Sequence, residues 1–446
     1  MKIDVDFIAK LVNELSKKGF DDVAVKAMIT DTIMSKIANS EVSVVQNWKR
    51  VGVDLYLAKE KRIFVLRFEP KSLEELYKPV ETLLTLSRKI EESSIYAPLP
   101  EPTKITYSEE VFDKGIHDGM DNIGKLAEMF IEVAHREKKI DSVAGMLQMS
   151  ETETVLATSK GALLEERKTF LQSYLRAFAE PDGSGQWCFT STFLDTKELE
   201  TMAFIASRYA VESRNRSVIE PGVYDVILSP MVFGNLLEYI VSMASAYSVV
   251  MGWSMFMKNK PGDKVASEHL TVLDEPRNRE LPNYRSFDDE ALETFNKPII
   301  ENGILKTFLH NTKTARLLGA SSTANAGWIS PEPWNIVVRP GNTTLDEMIS
   351  EIRRGILITN NWYTRLQNYV EGLFSTVARD AIFYIENGRI VKPVTKIRIA
   401  DKLPNILNNI EMMEKELYKI QWWEVSTPSK IPFVLIRNIN TSKHMI

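Results

Sequence analysis

The chain has 446 residues, 44% of them hydrophobic and 26% charged, with a net charge of -5 at pH 7. Such a make-up belongs to an ordinary globular protein of roughly two to four domains and argues against disorder. The acidic balance also excludes general attraction to nucleic acid, which binds through phosphate neutralisation by Lys and Arg. A single cysteine, Cys188, rules out an internal disulfide and points to a reducing compartment. Between Trp187 and Phe189 it reads as a small buried hydrophobe. Asp4 and Asp6 interrupt what would have to be an apolar signal region, so a cytoplasmic protein is expected.

In chain order, Phe7, Ile8, Leu11, Val12 and Leu15 recur at helical spacing over Asp4–Lys18, with Gly19 placed to end the helix. From Val23 to Phe68, the segments AVKAMITD, EVSVVQNW, GVDLYLA and RIFVLRF predict an antiparallel meander with one buried face. Ser72–Glu92 returns to helical periodicity. Tyr96–Pro102 (YAPLPEP) is a stiff extended connection. Val111–Lys138 predicts a long helix, followed by a second strand-rich block and a helix over Lys197–Arg214. This second block echoes the first. The order helix, meander, helix predicts an α+β fold, with a domain over 1–217 and a strand-rich one over 218–446.

The second half opens with a strand at Val223–Leu228 and passes through Pro230 into an almost uncharged run, Met231–Met251, whose only charge is Glu238. Apolar on every side, it predicts a buried central helix, with Glu238 neutralised, paired or at the rim. Ser242, Ser245, Ser248, Asn235 and Glu238 interrupt it too often for a membrane span. A strand follows near Leu270–Leu273. Turns are expected at the ENG steps Glu301–Gly303 and Glu386–Gly388 and at Arg339–Gly341 (RPG). Helices are expected over Leu345–Arg354 and Leu403–Tyr418, and a closing strand over Ile431–Ile439.

Four stretches in this half, GDKVASEHLTVLDEP (Gly262–Pro276), FDDEA (Phe287–Ala291), IIENGILKTFLHNTKTARLLG (Ile299–Gly319) and IENGRIVKPV (Ile385–Val394), are collinear with motifs of the TldD/TldE family. The chain resembles that family of metallopeptidase-associated proteins, whose TldE side is also called PmbA. In the TldD type, a helix after a small residue and Leu-Leu carries HExxxH, two zinc-binding histidines and a glutamate that activates water. Set on GNLLEYIVSMASA, those positions fall on Glu238, Tyr239 and Met243. The cysteine ligand of that type has no counterpart in Gln421–Lys430 (QWWEVSTPSK). The resemblance therefore implies a TldE-type member with no catalytic residue, metal ligand or cofactor of its own. Ala291 and Arg379–Asp380–Ala381 depart from positions where the family carries glycine.

Other chemistry is weaker. The histidines, His117, His135, His269, His310 and His444, show no metal-ligand spacing. His310, inside a matched motif, is a candidate to line a cleft, against the alternative of a surface or satisfied histidine. No GxSxG elbow occurs, and Ser375 reads as part of a turn or strand. Asp288, Asp289 and Glu290, with Glu371, are candidates for a hard cation or for acid–base work, against the alternative of a solvated turn. An exposed meander edge can take an extended peptide as an added strand, through a strand that the sequence does not single out.

Two readings of function follow. One is a metal-free TldE-like subunit, paired with a zinc-bearing TldD-like paralogue in a peptidase complex or forming a homodimer, with Trp422 and Trp423 as aromatic surface. The other is a stand-alone peptide-binding or regulatory scaffold, of which the family's label as a modulator of DNA gyrase is a variant. A hydrolase with a displaced site comes last. Neither main reading calls for nucleic acid or a membrane.

Overall fold

A computed structural model of the chain describes residues 3–69, 75, 77–86, 89–105 and 110–444. The fold is α+β. Asp4 accepts from Phe7 N at 3.0 Å and starts α1 (Val5–Lys17). Strands β1 (Asp22–Ala38), β2 (Glu41–Lys59) and β3 (Arg62–Phe68) follow. EVSVVQNW and GVDLYLA are therefore one strand, with Gly52 paired to Met28 rather than breaking it. Of the helix expected over Ser72–Glu92, α2 spans Tyr77–Leu86, and residues 72–74, 76 and 87–88 lie outside the described set. The helix expected over Val111–Lys138 is two, α3 (Lys114–Met120) and α4 (Ile123–Ala134), parted by a turn in which Asn122 N donates to Gly119 O. Then come β4 (Ser142–Thr158), β5 (Leu163–Ala179), β6 (Gly183–Ser191) and α5 (Thr196–Glu212).

The two meanders share one six-stranded antiparallel sheet, in the order β3-β2-β1-β4-β5-β6, because β1 and β4 pair from Ala24–Thr158 to Ile37–Gly145. One face is covered by helices: Val23, Val25, Leu55 and Leu57 bury against α1, and Leu147, Leu171 and Leu175 join the cluster that includes α4 and α5. The alternate residues point the other way. There Ala24, Tyr56 and Leu156 pack on Phe287, Ala291 and Trp328 of the second half, while Phe170, Gln172 and Tyr174 further along β5 stay half-buried.

The second half has β7 (Ser217–Val218), β8 (Val223–Leu228), α6 (Pro230–Met243), α7 (Ala246–Val250), β9 (Val272–Asp274), β10 (Lys297–Glu301), β11 (Ile304–Leu305), α8 (Thr312–Leu318) and β12 (Ile336–Val338). After these come α9 (Leu345–Ser350), β13 (Arg354–Asn368), β14 (Leu373–Glu386), β15 (Arg389–Thr395), β16 (Ile397–Lys402), α10 (Leu403–Asn408), β17 (Ile410–Met413), β18 (Tyr418–Trp422), β19 (Val425–Ile431) and β20 (Val434–Lys443). One sheet runs β11-β10-β9-β12-β19-β18, and another β13-β8-β20-β16-β14-β15-β7. A further β13–β14 pairing closes five of the latter strands into a ring. The helical pattern over Leu403–Tyr418 is overridden after Asn408, because Ile410, Met412 and Met413 pair with β20. Among the described residues, no helix is long and apolar enough to cross a membrane.

Both ENG turns place Asn and Gly at positive φ, 50° and 77° at Asn302–Gly303 and 50° and 76° at Asn387–Gly388, as tight hairpins require. The β2–β3 turn does the same with Glu60 (φ 48°) and Lys61 (φ 62°), both exposed. Replacing the pair by Asn-Gly is expected to raise unfolding stability by about 1 kcal/mol, since left-handed backbone penalises side chains with a Cβ. Denaturant midpoints check this; an unchanged or lower midpoint would refute it.

Candidate functional site

Helix α6 starts from a buried Ser229, whose Oγ donates to Thr359 O at 2.6 Å and accepts from Val232 N, with Pro230 in the first turn. It ends at Met243 rather than running on to Met251. The chain leaves the helix at Ala244–Ser245 to pair with Leu309, through Leu309 N to Ala244 O and Ala246 N to Leu309 O, each 2.9 Å. Nor is the helix buried all round, for Glu238, Tyr239 and Ser242 reach the surface as one stripe while Met243 is buried. Two of the stripe's positions, the half-buried Glu238 and Tyr239, are ones that the family resemblance picks out.

The stripe faces the β18–β19 hairpin. Glu238 Oε2 accepts from Ser426 N at 2.8 Å, and Oε1 accepts from the Ser426 hydroxyl. Burial pushes the Glu238 carboxyl above its ordinary range, opposed by these bonds. Tyr239 OH donates to Thr364 O at 3.3 Å. Beneath them lies a buried polar network. Asn235 Oδ1 accepts from Asn361 Nδ2 at 2.8 Å and from Thr364 Oγ1 at 2.6 Å, and both donors also reach Thr376. Asn235 Nδ2 donates to Glu424 O at 2.6 Å, so one side chain ties α6 to both the β13–β14 pair and the β18–β19 turn. The signal available in the sequence was polar residues, Asn235, Asn361 and Thr376, inside apolar runs.

Around this floor Trp362, Tyr363, Tyr369 and Trp423 are exposed. Tyr363 sits at a break in the β13–β14 register with φ 57°, a strained setting for an aromatic residue, and Arg365 lies 4.2 Å over its ring. The segment after α7 reaches the hairpin turn, where Met255 Sδ lies 3.2 Å from where a Cβ on Gly372 would stand. Trp423 packs edge-on against Tyr174 of the first sheet at 4.8 Å. The rim therefore meets the face of that sheet on which the second half packs.

The remaining sequence candidates lie elsewhere. Asp288, Asp289 and Glu290 are buried, not a solvated turn: Lys26 reaches Asp289 at 2.6 Å, Lys313 reaches Glu290 at 2.7 Å, and Asp288 accepts from three backbone N–H groups, those of Glu290, Leu292 and Ala326. Glu371 pairs instead with Lys402 at the surface. His310 is buried rather than lining a cleft, and burial pushes its imidazole down to about 4. Ser375 lies within β14. Trp422 is buried, so Trp423 alone of the pair is surface aromatic. Cys188 is buried, its thiol pushed up to about 12. Ala291 and Asp380, where the family pattern has glycine, hold φ of 64° and 58°. Asp tolerates this backbone, and the Ala291 methyl is fully buried among apolar neighbours.

The PmbA/TldA metallopeptidase C-terminal domain matches residues 221–443, and the central domain of the same family matches residues 97–214. The chain belongs to the PmbA/TldD metallopeptidase family. It is 23% identical over 430 residues to a metalloprotease of Methanothermobacter thermautotrophicus, covering 92% of this chain and 91% of that one. In fold it is similar to TldE from Thermococcus kodakarensis (TM-score 0.85, 20% identity, 97% of this chain and 99% of that one). It is also similar in fold to a Thermotoga maritima protein whose name labels it a modulator of a DNA gyrase (TM-score 0.84, 23% identity, 98% and 99%).

Against the PmbA/TldD pattern, the segment set opposite the cysteine-bearing stretch does lie against α6, with Ser426 bonded to Glu238. The side chains there do not fit zinc. A carboxylate engaged by Ser426, a phenol and a buried thioether are a poor donor set for a borderline ion. Among the described residues, no three His, Cys, Asp or Glu side chains gather as a metal-ligand group.

Proposed function

We propose that this chain is a TldE-like subunit that holds peptide without cutting it and pairs with a zinc-bearing TldD-like paralogue. The observation that carries the reading is the Glu238–Ser426 pair, which fastens α6 to the β18–β19 hairpin through hydrogen bonds at the place where the TldD type uses metal. The exposed aromatic rim beside the half-buried Phe170 and Gln172 of β5 supports a role in holding an extended chain. A stand-alone peptide-binding scaffold is the alternative, and the gyrase label of one structural neighbour belongs with it. Co-expression with a TldD-like paralogue from the same genome tests the reading. The expected result is a stable heterodimer that cleaves an unstructured peptide, while this chain alone forms a homodimer without hydrolysis. Hydrolysis by this chain alone, or about one tightly held zinc per chain, would overturn it. No association with the paralogue would favour the scaffold.

A further inference from the structure

Where the second half covers the first sheet, Lys168 and Arg285 form no ion pair among the described residues, although Glu166 acts on the one and Glu332 on the other through space. Lys168 on β5 is buried and, among the described residues, its Nζ donates only to Tyr284 O, at 3.2 Å. Arg285, half-buried, follows Tyr284, stacks 5.0 Å over Trp334, and leaves its buried Nε without a hydrogen-bond partner among the described residues. Ser286, next in sequence after Arg285, is fully buried with its Oγ also unpartnered among the described residues. The nearest acid on the strand, Glu166, is already engaged by Ser286 N at 2.6 Å. The two cations act on each other: burial and then Arg285 push the Lys168 ammonium down to about 7. A buried charge without a partner is strongly disfavoured unless something negative completes it. The neighbouring cation Lys26 differs, for Asp289 and Asp54 neutralise it.

We propose that Lys168 and Arg285 form a carboxylate-binding position, and that it takes the C-terminal carboxylate of a peptide lying along β5. Lys168, Phe170, Gln172 and Tyr174 alternate onto one face of that strand. Lys168 and Tyr174 are six residues apart, about 20 Å at ~3.3 Å per residue. Trp423 packs on Tyr174, and Ser426 in the same hairpin holds Glu238. A peptide of about six residues anchored at the cations therefore spans the face to the aromatic rim. This assignment deepens the peptide-holding reading and rests on it for its ligand.

Two measurements test it. Crystals of the full chain soaked in 3-bromopropionate are expected to show bromine density beside Lys168 and Arg285, whether or not peptides bind. Binding of a hexapeptide as free acid and as amide is then compared. The acid is expected to bind at least about tenfold more tightly, with the difference lost in Lys168→Met and reduced in Arg285→Gln. A third peptide, amidated but carrying an internal Glu, separates a terminal carboxylate from a side-chain one; equal preference for it would overturn the terminal assignment. Water alone between the cations after soaking, or acid and amide binding equally to the wild type, would overturn the site. Bromine density without any peptide binding would uphold the site and sink the peptide-holding reading instead.

Discussion

Replacing Lys313 with Met is expected to lower unfolding stability by about 3–5 kcal/mol, the usual cost of stranding one partner of a buried ion pair. Lys313 and Glu290 are both 1% exposed, joined at 2.7 Å, and Glu290 also accepts from Thr312 N at 2.8 Å. Lys313 lies 4.5 Å over the ring of Tyr56, so its charge faces the first sheet as well. Without it, the Glu290 carboxylate must protonate or stay buried uncompensated. Adding Glu290→Gln removes that charge, and the double variant is expected to recover part of the loss. Guanidinium titrations of wild type, single and double variants check this. A loss below about 1 kcal/mol in the single variant would mean that the pair behaves like an exposed one.

The second large effect concerns metal. The triple variant Glu238→His, Tyr239→Glu, Met243→His is expected to bind zinc weakly and to leave an unstructured peptide uncut. Positions 238 and 243 lie about 140° apart on a regular helix. Helix α6 stays regular through Met243, and the chain departs from it only beyond that residue. A histidine at 243 would thus start from a buried position while one at 238 starts beside Ser426. Adding Ser426→Cys supplies a thiolate where the hairpin already touches the helix, and zinc affinity is expected to rise about a hundredfold, ~2.7 kcal/mol. Competition with a chelating dye reads the affinity. Robust hydrolysis by the triple variant alone would show that the architecture of a cutting site is intact.

Much of the fold was legible because local chemistry and tertiary demand agree. Asp4 caps α1, the two ENG steps turn hairpins, and alternation marked the long strands. Where they disagree, the sequence misleads. Met231–Met251 reads as one helix because the Leu309 pairing that interrupts it is some sixty residues distant. Leu403–Tyr418 carries helical spacing, yet its second half is claimed by β20. The acidic run Asp288–Glu290 looked solvated since its cations, Lys26 and Lys313, come from opposite sides of it in sequence. At the site, the family resemblance marked both the motif positions on α6 and the facing segment Gln421–Lys430, but not which residue of that segment makes the contact. Nothing local announces that Ser426 meets Glu238 across 188 residues.

Strand β20 has a consequence for how the molecule comes into being. It lies between β8 and β16, pairing Val434 with Leu228 and Ile397 with Lys443. During synthesis, β8 emerges early in the second half and must wait some two hundred residues for β20 before that side of it is covered. Until then the ring stays open, and two apolar strands present bare backbone to whatever is near. The second half is therefore expected to close only after β20 has been synthesised, with a slow, non-local step setting the pace. A ribosome-bound chain stalled before Val434 is the species that chaperones would have to guard.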